Sequence, residues 1–141
     1  MKTKVSLLML AALLFAGTAF AADPIVGSWK LNVAKSKFPA GQEVKSSSRT
    51  YTEANGVYTL DQKLTGADGK ELKQEVAGPV DSTHAKKVDA NTWDFELKKD
   101  GKVVGHVHRV VSADGKTLTV HNTGMMLSGM KGDQTLVFDK Q

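Results

Sequence analysis

Apolar and polar residues alternate one by one along much of this chain, and this alternation restricts the fold more than any other feature. At residues 93–97 every second residue is apolar, and the same pattern recurs at residues 25–33, 72–76 and 117–121. Successive side chains of a β-strand point to opposite faces of a sheet, so a period of two indicates strands with one buried face. Only residues 33–38, which precede Pro39, suit a short helical turn. The pattern therefore predicts an all-β fold.

Turn sequences divide these segments at intervals typical of β-hairpins. Asn55-Gly56 is the strongest turn signal, because both residue types tolerate a positive φ and suit a type I′ turn. Asp-Gly follows at residues 68–69, 100–101 and 114–115. Nine strands are predicted, near residues 26–33, 45–53, 57–64, 71–77, 82–88, 92–98, 103–111, 116–122 and 134–139.

So many short strands must bury their apolar faces and protect their edges. Closing one sheet into an up-and-down barrel achieves both, and tight turns between consecutive strands favour this order. A two-sheet sandwich is the alternative. We predict a single antiparallel up-and-down β-barrel of about eight to nine strands, an architecture that is either filled by side chains or able to hold one small ligand.

The N-terminal residues predict export. Lys2 and Lys4 precede an apolar stretch at residues 5–16, and residues 19–21 form a small-x-small cleavage sequence, so residues 1–21 are predicted to be a cleaved signal peptide. Residues 22–141 would then form one periplasmic or secreted domain without disulfides, because the chain contains no cysteine. Without the two signal lysines, 17 basic and 15 acidic residues leave a charge of +2, which does not favour nucleic acid.

Several segments resemble known small β-barrels. The sequence "GSWKL" at residues 27–31 is similar to the Gly-x-Trp signature of lipocalins and to the first strand of fatty-acid-binding proteins. The later "ELKKDGKVVG", "RVVSADGKTLTV" and "LVFDK" resemble the lipocalin-like domains of exported bacterial proteins. The resemblance implies a lipocalin-like barrel with an apolar cavity, in which Gly27 and Trp29 are structural and Trp29 packs under an arginine. Leu136 stands where fatty-acid-binding proteins usually have an arginine, so no fatty acid is implied.

Three histidines raise the alternative of a metal site. His106 and His108 are two positions apart on one predicted strand, a spacing at which two imidazoles can share a metal ion. A two-residue turn at Asp114-Gly115 places His121 opposite His108 on the same face, whereas a bulged turn moves His121 to the other face. Thioether ligands suit Cu(I), so the metal alternative also includes three methionines of the following loop, Met125, Met126 and Met130.

The apolar pattern favours histidines that face solvent and an arginine that faces the interior. A bulged turn at Asp100-Gly101 predicts Leu97 opposite Val103 and Trp93 opposite Val107. Under this register Val103, Val107, Arg109 and Val111 point inward. Leu118 and Val120 align with this inner face only if the turn at Asp114-Gly115 has two residues. His106, His108 and His121 then lie together on the outer face.

An inward Arg109 requires a partner for its charge: a carboxylate, backbone carbonyls, the face of Trp29 or an anionic ligand. A ligand-binding cavity is predicted with these lining residues: Tyr58, Leu60, Trp93, Phe95, Arg109 and Phe138. Familiar catalytic motifs are missing from the sequence, so no enzyme and no cofactor are predicted. The expected function is binding of a small molecule that is either apolar or weakly anionic, and thus hydrophobic or amphipathic. Metal binding and a structural or inhibitory role are the alternatives.

Overall fold

The computed structural model describes residues 23–55, 57–71, 82–126 and 131–141. These residues form a short 3-10 helix at Val33–Lys35, as predicted, and eight strands. The strands are β1 (Gly27–Leu31), β2 (Val44–Ala54), β3 (Val57–Gly66), β4 (Ser82–Asp89), β5 (Thr92–Lys99), β6 (Lys102–Val111), β7 (Thr117–Met125) and β8 (Lys131–Lys140). The predicted strand at residues 71–77 lies, apart from Glu71, outside the described residues, as does the predicted signal peptide at residues 1–21.

All eight strands belong to one antiparallel sheet in the order β3-β2-β1-β8-β7-β6-β5-β4. Consecutive strands are neighbours except for β3 and β4, which lie at the two ends of this order. The first and last strands pair with each other through Trp29 and Lys140. The sheet curls into a half-barrel, which confirms the predicted all-β, up-and-down architecture and is compatible with a calycin-like fold. The two-sheet sandwich is wrong, because one continuous ladder joins all eight strands. The described residues contain no helix long and apolar enough to cross a bilayer.

The concave face of the sheet carries the apolar core, because the alternating apolar residues of each strand point to it. Trp29 and Phe138 are fully buried there, together with Leu118, Val120 and Val111. The Trp29 indole donates a hydrogen bond to the Ile25 carbonyl over 2.8 Å. A core tryptophan whose N–H has a partner anchors the start of the sheet.

The two residues of the Gly-x-Trp sequence have structural roles. Gly27 has a φ of +126°, a conformation that residues with a Cβ rarely adopt, and a Cβ there would lie 3.1 Å from the Lys140 side chain. Lys140 places its Nζ 4.9 Å from the centroid of the Trp29 ring and donates to the Val26 carbonyl. The cation on Trp29 is therefore a lysine of β8 and not Arg109, so the expected packing of Arg109 on Trp29 is wrong.

The pairing of residues in the β5–β6 hairpin differs from the predicted register. Asp100 and Gly101 both have positive φ and form a two-residue turn, and the irregularity lies further along, where Lys98 pairs with Val103 but Leu97 pairs with Gly105. Val104 is the additional residue of a β-bulge. The predicted pairs Leu97–Val103 and Trp93–Val107 are wrong. Beyond the bulge the register differs by two residues, which preserves the inner face, so Trp93 pairs with Arg109 there. Between the turn and the bulge it differs by one residue, so Val103 is exposed and its predicted inward direction is wrong.

The β6–β7 register is as predicted, although its turn is longer. His108 pairs with His121 and Val111 with Leu118. The chain reverses through a four-residue loop between Ser112 and Thr117, not through the predicted two-residue turn. The Gly115 amide donates to the Ser112 carbonyl over 2.8 Å. The loop has one extra residue on each side of Asp114-Gly115, so the register is unchanged and the facing of the strands was predicted correctly.

Candidate functional site

The concave face contains a cavity of about 360 Å³ between β2 and β3 on one side and β5 and β6 on the other. Most of its surface is apolar. The lining consists of Ile25, Tyr51, Tyr58, Thr59, Leu60, Trp93, Phe95, Leu97, Val107 and Arg109. This volume lies within the range of about 300–1,000 Å³ that is usual for small-molecule sites.

Five of the six residues predicted to line a ligand cavity lie around this one. Tyr58 and Leu60 come from β3 and remain partly exposed, whereas Trp93 and Phe95 come from β5. Arg109 reaches the cavity from β6. Phe138 is elsewhere: it is fully buried in the core and packs beneath Arg49, with the guanidinium carbon 4.7 Å from the ring centroid.

Arg109 is the main polar group of the cavity wall. Its guanidinium carbon lies 4.1 Å from the Phe95 ring centroid and 5.6 Å from that of Tyr51, so aromatic faces hold the side chain. Its Nε is buried without a hydrogen-bond partner among the described residues. Burial, and then the charge of Arg49, lower the pKa of Arg109 to about 10, an effect that Tyr51 partly offsets. The guanidinium is thus charged at neutral pH, and no acidic side chain of residues 23–55, 57–71, 82–126 or 131–141 forms an ion pair with it.

Arg49 and Tyr51, which the sequence reasoning did not identify, adjoin this group on β2. Both residues are buried, and the Arg49 Nη1 donates a hydrogen bond to the Tyr51 hydroxyl over 3.3 Å. The Nε of Arg49 also has no partner among the described residues. In the part of the chain that the structure describes, no carboxylate forms an ion pair with either arginine. Two cations therefore share the interior of this half-barrel.

The three histidines of the metal alternative lie on the outer face, as the predicted register requires. His106 and His108 are exposed, and His121 is partly exposed. His108 Nδ1 bonds to the Asp94 carboxylate, and His121 Nε2 lies 2.8 Å from the Asp133 carboxylate. His108 and His121 are therefore each engaged with a separate acidic residue of the neighbouring strand.

Met125 and Met126 lie on the core side and not with these histidines. Met126 is buried and Met125 packs partly buried against the core, while Met130 lies outside the described residues. Among the residues described, no group of three or more histidine, aspartate or glutamate side chains is arranged to hold a metal ion.

Metal binding can be tested by thermal unfolding of the full chain with Zn²⁺ or Cu⁺. We expect the unfolding temperature to stay unchanged, because a ligand stabilises a protein only if it binds the folded state. At a metal concentration 100 times the dissociation constant, a specific site would add about 2.7 kcal/mol. An increase that disappears in a variant with both His106 and His108 replaced by alanine would support the metal alternative.

The sequence matches no protein-family model, and no curated protein matches it significantly. The geometry of the cavity and the chemistry of its wall therefore carry the functional argument.

Proposed function

We propose that this chain is an exported, lipocalin-like binding protein that holds one small apolar or weakly anionic molecule inside the half-barrel. The observation that carries the proposal is an apolar cavity of about 360 Å³ whose wall includes Arg109, a largely buried arginine with no ion-pair partner among the described residues. The apolar lining favours a hydrocarbon or aromatic portion, and Arg109 favours an anionic group. Export rests on the sequence of residues 1–21.

The free-energy cost of burying Arg109 favours a role in ligand binding over a role in the stability of the fold. An arginine that is charged at neutral pH and has no acidic partner in the described part of the chain costs free energy when it is buried. A core that served only for packing would gain stability from an apolar residue of similar volume at this position. A bound anion would offset the cost, so the arrangement is consistent with a site adapted to a ligand.

Trp93 provides a direct measurement of occupancy. The chain has two tryptophans, and of these only Trp93 lines the cavity. We expect octanol and octanoate to change the indole emission with saturation at one molecule per chain. In Trp93→Phe the emission change should be lost, while binding measured by calorimetry persists. Calorimetry that detects no binding of either probe would contradict the proposed function.

A pair of matched substitutions on β6 tests whether the probes bind in the cavity. Val107 lines it, and Val103 is exposed on the same strand outside it. In Val107→Phe the larger ring would displace two or three methylene groups of the ligand. At about 0.8 kcal/mol for each buried methylene, octanol affinity should fall by at least roughly tenfold.

Val103→Phe adds the same ring outside the cavity, so its octanol affinity should remain within about twofold of wild type. Far-UV circular dichroism and thermal unfolding would confirm that both variants are folded. Equal octanol affinity of the folded Val107→Phe variant and wild type would exclude this cavity as the binding site.

A further inference from the structure

We infer that the cavity selects amphipathic carboxylates, and that Tyr51 and Arg109 bind the carboxylate while Arg49 orients Tyr51. The inference rests on the proposed function, because it specifies the ligand class of the same cavity. It adds a selectivity group on β2, where Tyr51 lines the cavity and Arg49 lies next to it.

The first step concerns the hydroxyl of Tyr51. A phenolic oxygen can accept a hydrogen bond and donate one. The Arg49 Nη1 can only donate a hydrogen bond, so the Tyr51 oxygen is the acceptor in the 3.3 Å bond between them. The Tyr51 proton remains available for another acceptor, and Tyr51 lines the cavity.

The second step concerns Arg109, the other donor on the cavity wall. Its buried Nε has no partner among the described residues. Stacking against Phe95 and Tyr51 restricts the plane of the guanidinium, and a planar group with restricted orientation suits two-point binding of a carboxylate. Arg109 and Tyr51 therefore present donors to the same cavity.

The third step concerns the charge of the interior. Arg49 and Arg109 are close enough that Arg49 contributes to the lowered pKa of Arg109. Neither guanidinium has an acidic partner in the described parts of the chain. An anionic head group would offset the charge of Arg109, the cation that lines the cavity, while a cationic head group would be repelled. The apolar wall accommodates the rest of the ligand, which makes the expected ligand an amphipathic anion.

Three probes with the same hydrocarbon chain test this selectivity by calorimetry at neutral pH: octanoate, octanol and octylammonium. Octanoate should bind at least roughly tenfold more tightly than octanol, because hydrogen bonds to a charged acceptor are about twice as strong as neutral ones. Octylammonium should bind more weakly than octanol. If octanol binds as tightly as octanoate, the proposed function stands and this inference fails. If no probe binds, both fail.

Substitutions on β2 test the separate roles of Arg49 and Tyr51. Arg49→Met and Tyr51→Phe should each lower octanoate affinity about tenfold and leave octanol affinity within about twofold. The double variant should bind octanoate no more weakly than the weaker single variant, because Arg49 acts through Tyr51. Additive losses would contradict a positioning role for Arg49.

Lys45→Met is the matched control, since Lys45 is an exposed cation of the same strand. It removes one positive charge without altering the interior, so octanoate affinity should be unchanged. An equal loss in Lys45→Met and Arg49→Met would attribute the effect to the overall charge and overturn the inference. Tyr51→Phe retains the aromatic ring, so it also tests the inference if Arg49→Met does not fold.

Discussion

Replacing Arg109 with methionine is expected to stabilise the ligand-free protein by about 1–2 kcal/mol and to weaken octanoate binding at least tenfold. Burial lowers the pKa of Arg109 well below its ordinary value, to about 10, which corresponds to a cost on the order of 3 kcal/mol for the charged form in the fold. Loss of the contact with the Phe95 ring, 4.1 Å away, offsets about 1–2 kcal/mol of this gain.

The sign of the effect follows from the two protonation equilibria. At neutral pH the guanidinium is charged in both the folded and the unfolded chain, so the entire cost is present. The cost declines only as the pH rises through about 10, where the folded protein begins to release the proton before the unfolded chain does. Unfolding by denaturant at pH 7 therefore measures the full gain in Arg109→Met.

Lys102→Met is the control for this substitution, because Lys102 is exposed on the same strand. Its free energy of unfolding should remain within about 0.5 kcal/mol of wild type. An Arg109→Met variant that is less stable than wild type would identify Arg109 as a structural anchor of the barrel. If Arg109→Met binds octanoate as tightly as wild type, Arg109 does not contribute to octanoate binding.

Replacing Gly105 with alanine is expected to destabilise the protein by more than about 3 kcal/mol. A Cβ on Gly105 would lie 2.1 Å from the Met125 carbonyl oxygen and 3.0 Å from its carbonyl carbon. Both atoms belong to the backbone of β7, so the overlap is relieved only if the two strands separate near the pair Gly105–Gly124. Denaturant unfolding followed by circular dichroism measures the loss.

His106→Ala serves as the comparison, because His106 follows Gly105 directly and faces solvent. Its free energy of unfolding should change by less than about 0.5 kcal/mol. If Gly105→Ala is as stable as His106→Ala, β6 and β7 do not approach each other as closely as this at Gly105.

The fold was predictable because strand facing depends on a simple period. The alternation of Trp93, Phe95 and Leu97 sets the inner face of β5, and all three are on the concave side. The exact register was not predictable at the β5–β6 hairpin, since Asp100-Gly101 is compatible with several turns and the bulge at Val104 leaves no signal in the apolar pattern. The β6–β7 register was predictable because a four-residue loop centred on Asp114-Gly115 pairs the same residues as a two-residue turn at that point.

The candidate site was only partly predictable, for a reason that is visible in β2. Its interior positions include Ser47 and Arg49, so the inner face is not the apolar face and the period of two gives no indication of which side is buried. An irregularity between Val44 and Ser46 obscures the pattern further. Arg109 was identified because apolar neighbours on its own strand determine its direction. One available signal for Arg49 was that the chain has two arginines in all.

A crystal structure of the protein with octanoate would show whether this cavity binds amphipathic carboxylates. We expect the hydrocarbon chain to lie in the cavity between Leu60 and Phe95, with the carboxylate within hydrogen-bond distance of Arg109 and the Tyr51 hydroxyl. Octanoate bound only on the outer face, or a cavity that stays empty at saturating octanoate, would contradict it.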